Sequence, residues 1–311
     1  MVLVETSGSY EGADRFAHWA RRLSLGAMPP PALILVGIVS VQSGAGLAKH
    51  LFDQLPPNAI VLMRLLTSAV VLCVLGRRAL RGVLREHSRG DLAVAAGFGL
   101  TLALMNFSIY QSMARIPLGI AVTVEFLGPL VVAIAASRRL LDLLWAVLAF
   151  GGVVMLARGG GDVTMPGVAF GLLAGACWAT YIVLSAITGR RFSGSTGLAL
   201  ASVVGTVAIL PVGVTAGGTS LLNPALLLFG VGVGLLSSVI PYSLELEALR
   251  RVPARVFGIL MSLEPAVAAL IGLIILGEVL DVREWAAIGC VILACAGATR
   301  MAGRPPRPPD G

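Results

Sequence analysis

The sequence predicts an all-α integral membrane protein: ten transmembrane helices, arranged as two five-helix halves in an inverted-topology repeat. Three observations carry this. Hydrophobic residues make up 57% of the 311-residue chain and charged residues only 13%, far from the quarter or so charged in a soluble domain. The apolar residues come in runs of about 17 to 25, the length that crosses ~30 Å of hydrocarbon as helix. The basic residues and two proline-bearing segments then fix how the runs are ordered.

The ten runs lie near 32–51, 58–76, 91–112, 117–137, 140–157, 167–188, 196–214, 225–249, 254–276 and 283–302. The first is interrupted by the polar, glycine-rich SVQSGAG, and the fifth is marginal in length. Residues 1–28 contain no long apolar core, so they do not read as a secretory signal. Within them Phe16, Trp19 and Leu23 recur at helical spacing beside Arg15, Arg21 and Arg22. This is either a short interfacial helix on the cytoplasmic face or a partly disordered tail. The end, RPPRPPDG, reads as a disordered tail. The expected units are a cytoplasmic extension (1–28), two five-helix halves (29–157 and 158–302) and the tail (303–311).

With ten helices and both ends inside, eighteen arginines fall on the inner side, while Lys49, Arg115, Arg158 and Arg283 fall outside. This is a strong positive-inside signal, and a missed helix would spoil the alternation downstream. The split also accounts for the net charge of +7 without a nucleic-acid partner. The lipid bilayer is the partner that the sequence requires.

The segment ARIPLGIAVTVEFLGPLVVAI (114–134) aligns with RRVPARVFGILMSLEPAVAAL (250–270) at an offset of 136 residues. Arg115, Pro117, Leu127, Pro129, Val131 and Ala133 meet Arg251, Pro253, Leu263, Pro265, Val267 and Ala269. The segments belong to the fourth and ninth runs. Five is an odd step, so the copies enter the membrane from opposite faces. Inverted repeats of this kind characterise many secondary transporters, with substrate held near the midplane.

Polar groups at membrane depth supply the candidate site. Pro129, Pro265 and Pro241 are expected to bend their helices and to free the carbonyls of Glu125, Met261 and Ser237. Such gaps are tolerated beside protein or a water-lined cavity. Glu125, Glu264 and Glu245 lie deep in the fourth, ninth and eighth runs, and an intramembrane carboxylate is a functional candidate by default. Ser238, Tyr242 and Glu245 follow at i, i+4 and i+7, so they are expected on one face. Glu247 faces away from Glu245 and is assigned to a local pair with Arg250 or Arg251. Arg64, near the outer end of the second run, has three readings: a bidentate clamp for a substrate carboxylate, an ion pair with a glutamate, or a side chain snorkelling to the interface. Gln42, Asn106, Tyr110, Trp178 and Tyr181 are further candidates for a polar cavity lining, although small and polar residues also serve ordinary helix packing.

No G-x-x-x-x-G-K-[ST] phosphate loop occurs, so transport would draw on an ion or substrate gradient unless a separate ATPase subunit exists. No metal-ligand pattern, cofactor motif or Ser/His pair at depth is present, and no enzyme activity is expected. Cys73, Cys177, Cys290 and Cys295 read as apolar fillers.

The segments SVQSGAGLAKHLF (40–52), LMRL (62–65), MNFSIYQS with IPLGIAVTVEFLGPL (105–130), AGACWATYI (174–182) and IPYSLELEAL with LMSLEPAVAA (240–269) resemble the drug/metabolite transporter superfamily, EamA type. The likeness is closest to its threonine/homoserine exporter branch. It covers nearly the whole chain except residues 1–28 and the Pro-rich end. It implies two EamA repeats and a bacterial inner-membrane exporter of small neutral amino acids working by proton antiport. The small-molecule substrate and the proton are then the implied partners. It also implies that Glu125, Glu245, Glu264 and Arg64 stand at family positions, while Glu247 replaces an apolar residue. Export of another small metabolite or drug is the alternative within transport, and a non-transporting membrane scaffold the alternative outside it.

Overall fold

A computed structural model describes residues 28–80, 82–135, 140–157, 163–192, 196–249, 251–252 and 254–302. The expected interfacial helix at Phe16, Trp19 and Leu23, and the Pro-rich end, lie outside these residues. All regular secondary structure among the described residues is helix. Its elements are α1 (Pro30–His50), α2 (Pro57–Leu80), α3 (Arg89–Met113), α4 (Leu118–Glu125), α5 (Leu127–Ala135), α6 (Leu140–Ala157), α7 (Met165–Arg191), α8 (Thr196–Gly217), α9 (Pro224–Gly234), α10 (Ile240–Leu249), α11 (Ala254–Met261), α12 (Glu264–Ile271) and α13 (Val282–Ala302). A short turn of helix, Val83–Glu86, precedes α3. Eight helical stretches among the described residues are long and apolar enough to cross a membrane. Two shorter apolar stretches, Leu144–Leu156 and Pro224–Val239, fall in the fifth and eighth runs.

Helix starts follow local chemistry. Ser88 and Asp91 form a capping box at the head of α3. The Thr164 side chain accepts from Gly167 N–H at the start of α7, and the Asn223 side chain accepts from Ala225 N–H at the start of α9. Large apolar side chains point outward along the bundle, among them Val207 at 63%, Leu228 at 73% and Ile274 at 75% exposure. An apolar exterior suits hydrocarbon, which solvates leucine as well as a core does.

The fourth and ninth runs are each divided. Phe126 separates α4 from α5, and Ser262 and Leu263 separate α11 from α12. Pro129 and Pro265 thereby enter the first turn of a new helix, where an amide N–H has no intrahelical partner to lose. The eighth run instead passes through a π-turn at Leu235–Val239, with Pro241 just beyond it. A second π-turn, Gly272–Leu276, follows α12. SVQSGAG, which interrupts the first apolar run, leaves α1 unbroken. Ser40 Oγ donates to the Leu236 carbonyl at 2.8 Å, so the polar stretch is where α1 meets the π-turn.

The helices pack in a defined set of pairs. α3 lies on α7, α8 on α2 and α3, α13 on α6, α10 on α1, α5 on α7, and α12 on α4 and α1. The α5–α7 crossing is the tightest. A Cβ on Gly128 would stand 2.0 Å from the Gly175 carbonyl oxygen. Backbone on both sides leaves neither partner free to yield.

Gly128→Ala is expected to cost at least about 2 kcal/mol through this overpacking. Gly151→Ala in α6, whose added Cβ meets nothing within 4 Å, is the control and should be neutral or mildly stabilising. Thermal unfolding in detergent compares the two. Equal melting temperatures would contradict the crossing.

Candidate functional site

The divided helices surround a cavity of about 400 Å³. Gln42 of α1, Arg64 of α2, Asn106 and Tyr110 of α3, Glu125 at the end of α4, and Trp178 and Tyr181 of α7 line it. Glu245 of α10 and Glu264 at the start of α12 complete its polar wall. Nine predicted residues, drawn from seven helices, therefore meet in one space. Pro129 and Pro241 also line it, whereas Pro265 is buried behind it.

Arg64 is the cation of the cavity wall. Its guanidinium donates to the Ser237 carbonyl at 3.2 Å, the carbonyl that Pro241 cannot serve. Its charge centre stands 5.7 Å from the Tyr110 ring centroid, a cation–π distance. It shares the cavity wall with Glu125 and Glu264. Of its three readings, snorkelling to the interface is therefore set aside.

Glu264 is almost fully buried, with 6% exposure. Its Oε1 accepts from Gln42 Nε2 at 2.8 Å, across 222 residues of sequence. Four buried polar atoms here have no hydrogen-bond partner: Gln42 Oε1, Glu264 Oε2, the Tyr110 hydroxyl and Ser237 Oγ. The aromatic wall is ordered by the Phe126 and Trp178 rings, which meet edge to face at 4.9 Å.

One predicted face is shifted. Ser238 is buried but does not line the cavity; Ser237, Pro241 and Glu245 do. The π-turn at Leu235–Val239 is wound more widely than an α-turn, and it offsets the register that α-helical spacing assumed. The Tyr242 side chain lies outside the described ones. Glu247 pairs with Arg251 four residues on, in the local role expected of it. Phe126, Ser262 and Thr299 also line the cavity and carried no separate signal in the sequence, as does Cys295, which read there as an apolar filler. Ser237 lines it too, and the carbonyl that Pro241 frees was its one pointer.

The cavity extends toward the ends where α5, α10 and α13 finish and α11 begins, since Ala133, Glu245, Phe257 and Thr299 line it. The opposite helix ends are tied together. Lys49 Nζ pairs with Glu278 Oε1 at 2.5 Å and donates to the Ile116 carbonyl at 2.7 Å. Glu278 Oε2 accepts from Leu118 N–H, at the N-terminus of α4, at 2.7 Å. The carboxylate thus joins the end of α1, the turn before α4 and the loop before α13.

Residues 165–300 match the EamA-like transporter family. The threonine/homoserine exporter RhtA of Escherichia coli K12 is 38% identical over 282 residues, covering 89% of this chain and 94% of that protein. The threonine/homoserine exporter RhtA of Salmonella typhimurium LT2 is 38% identical over 284 residues, with the same coverage. A solved crystal structure, 20% identical, shares the fold with a TM-score of 0.58 over 87% of this chain and 97% of its own. An all-helical chain with this cavity, related to those exporters along nearly its whole length, belongs to the EamA family of transporters, on the branch of the RhtA proteins.

Proposed function

We propose that the protein exports small neutral amino acids, of the threonine and homoserine kind, across the inner membrane by proton antiport. The observation that carries this reading is a cavity of about 400 Å³ walled by one arginine and three carboxylates. That volume suits a small metabolite. A zwitterion presents one anion and one cation, and this wall offers a complement to each. Arg64 holds the carboxylate through its planar fork. The ammonium group meets the glutamates, one of which also serves the proton. A group that binds either proton or substrate cation, but not both, couples their movements in opposite directions.

The frame of this mechanism is ten helices in two inverted halves, with both termini cytoplasmic. Supporting it, the breaks at Phe126 and Ser262 are 136 residues apart, the offset of the sequence repeat. The helix pairs support it too. Advancing each run by five exchanges the third-with-sixth pair for the eighth-with-first, and the fourth-with-sixth for the ninth-with-first; all four pairs are present. On the arginine distribution, the end toward which the cavity extends faces the cytoplasm and the Lys49–Glu278 tie faces outside. The halves then rock around the cavity, and the outer tie parts when the site turns outward.

Proteoliposomes loaded with threonine test the reading. Because protons enter as substrate leaves, efflux should rise when the receiving side is made acidic. Glu264→Gln should abolish that rise. Efflux unchanged by both the gradient and the substitution would sink proton coupling. Arg64→Lys keeps the charge and loses the fork, so it should weaken threonine binding by about 2 kcal/mol, the scale of a hydrogen bond to a charged group. Isothermal titration with purified protein reads this directly, and an unaltered affinity would remove Arg64 from the substrate site.

A further inference from the structure

The contact between Gln42 and Glu264 contains an imbalance. The Gln42 amide nitrogen donates to Glu264 Oε1 at 2.8 Å. The remaining oxygens of the same two groups, Gln42 Oε1 and Glu264 Oε2, are both buried without a partner. An ionised carboxylate has only acceptors, and the amide oxygen is an acceptor as well. Two buried acceptors without donors are costly, more so when one is charged. One proton on Glu264 Oε2, donated to Gln42 Oε1, would remove both defects at once. The neutral acid offers an O–H and a C=O on one edge; the carboxamide offers a C=O and an N–H on its own. The two edges match as a cyclic pair.

We propose that Gln42 and Glu264 form a proton-dependent acid–amide pair, and that Glu264 carries the coupling proton. The proposal rests on the antiport reading above and goes further by choosing among the three glutamates. Among the described residues, no comparable amide is hydrogen-bonded to Glu125 or Glu245. Gln42 is a positioning residue: its N–H holds Oε1, so the proton resides on Oε2. The ionisable acids and the cation that share the cavity wall with Glu264 are Glu245 of α10, Glu125 of α4 and Arg64 of α2. Tyr110 of α3, Tyr181 of α7 and Cys295 of α13 are the other titratable side chains on the cavity wall, and α1 brings no charged group to it.

The exchange balances simply. The O–H bond at Oε2 breaks, the proton passes to water, and the electron pair stays on the carboxylate. Gln42 Oε1 then loses its donor and faces a charged oxygen, so the pair parts. The freed carboxylate takes the ammonium group of the substrate in place of the proton.

Infrared difference spectra and flux test the proposal together. The wild type in detergent at neutral pH should show the carbonyl band of a neutral carboxyl group. Glu264→Gln should remove the band, and Gln42→Leu should shift it. A band that survives Glu264→Gln and disappears in Glu125→Gln or Glu245→Gln overturns the assignment. In proteoliposomes, Gln42→Leu and Glu264→Gln should each reduce gradient-driven threonine efflux about tenfold or more, the scale of one hydrogen bond to a charged group. The exchanged double variant, Gln42→Glu with Glu264→Gln, rebuilds the pair with acid and amide reversed and should recover most of it. A double variant that binds threonine yet transports no better than the single variants overturns the pair. Wild-type efflux driven by the gradient but indifferent to Gln42→Leu overturns this inference alone. Wild-type efflux without gradient dependence defeats the antiport reading beneath it.

Discussion

A bilayer core offers no partner to a loose backbone carbonyl, and that constraint decides where this chain can bend. Each bend lies beside the cavity or against another helix. Arg64 reaches across from α2 to serve the Ser237 carbonyl, so the bend in the eighth run draws a cation to the centre of the molecule. The breaks before α5 and α12 place Glu125 and Glu264 at helix ends instead of mid-helix. Glu264 in particular starts α12, just before Pro265. The bends and the carboxylates are consequences of one requirement.

Close packing gives these bends their rigidity. α1 can run unbroken through SVQSGAG because its small residues let the π-turn come near. A Cβ on Gly44 would stand 2.3 Å from Ser237 Oγ. Gln42, two residues earlier, lies on another face of α1 and meets Glu264 there, beside Gly46, whose added Cβ would stand 2.8 Å from Ile271. α1 therefore packs on the eighth run through Ser40 and Gly44 and on the ninth through Gln42 and Gly46.

Much of this was legible in the sequence, and for identifiable reasons. Proline acts on its own helix, so the bends at Pro129 and Pro265 could be read locally. Carboxylates in apolar runs are conspicuous, and Glu125, Glu245 and Glu264 all reach the cavity. The misplaced residue, Ser238, follows from a π-turn, which no α-helical spacing rule anticipates. The partner of Glu264 was illegible because Gln42 stands 222 residues away, and only tertiary packing joins them. The Gly128–Gly175 crossing was hidden likewise, since a glycine that admits a neighbour looks the same as one in open space. The proposed substrate class and transport direction come from resemblance to a known family, because helix periodicity does not encode them.

Lys49 is the sole lysine of the chain. Its amino group is held as an ammonium ion between the Glu278 carboxylate and the Ile116 carbonyl. An ammonium nitrogen has no lone pair for acylation, so this geometry masks the only ε-amine in the protein. The residue that ties the helix ends is thus a native chemical reporter. If the halves rock as proposed, its reactivity toward an amine-selective reagent, read at this residue, reports how often that end comes apart.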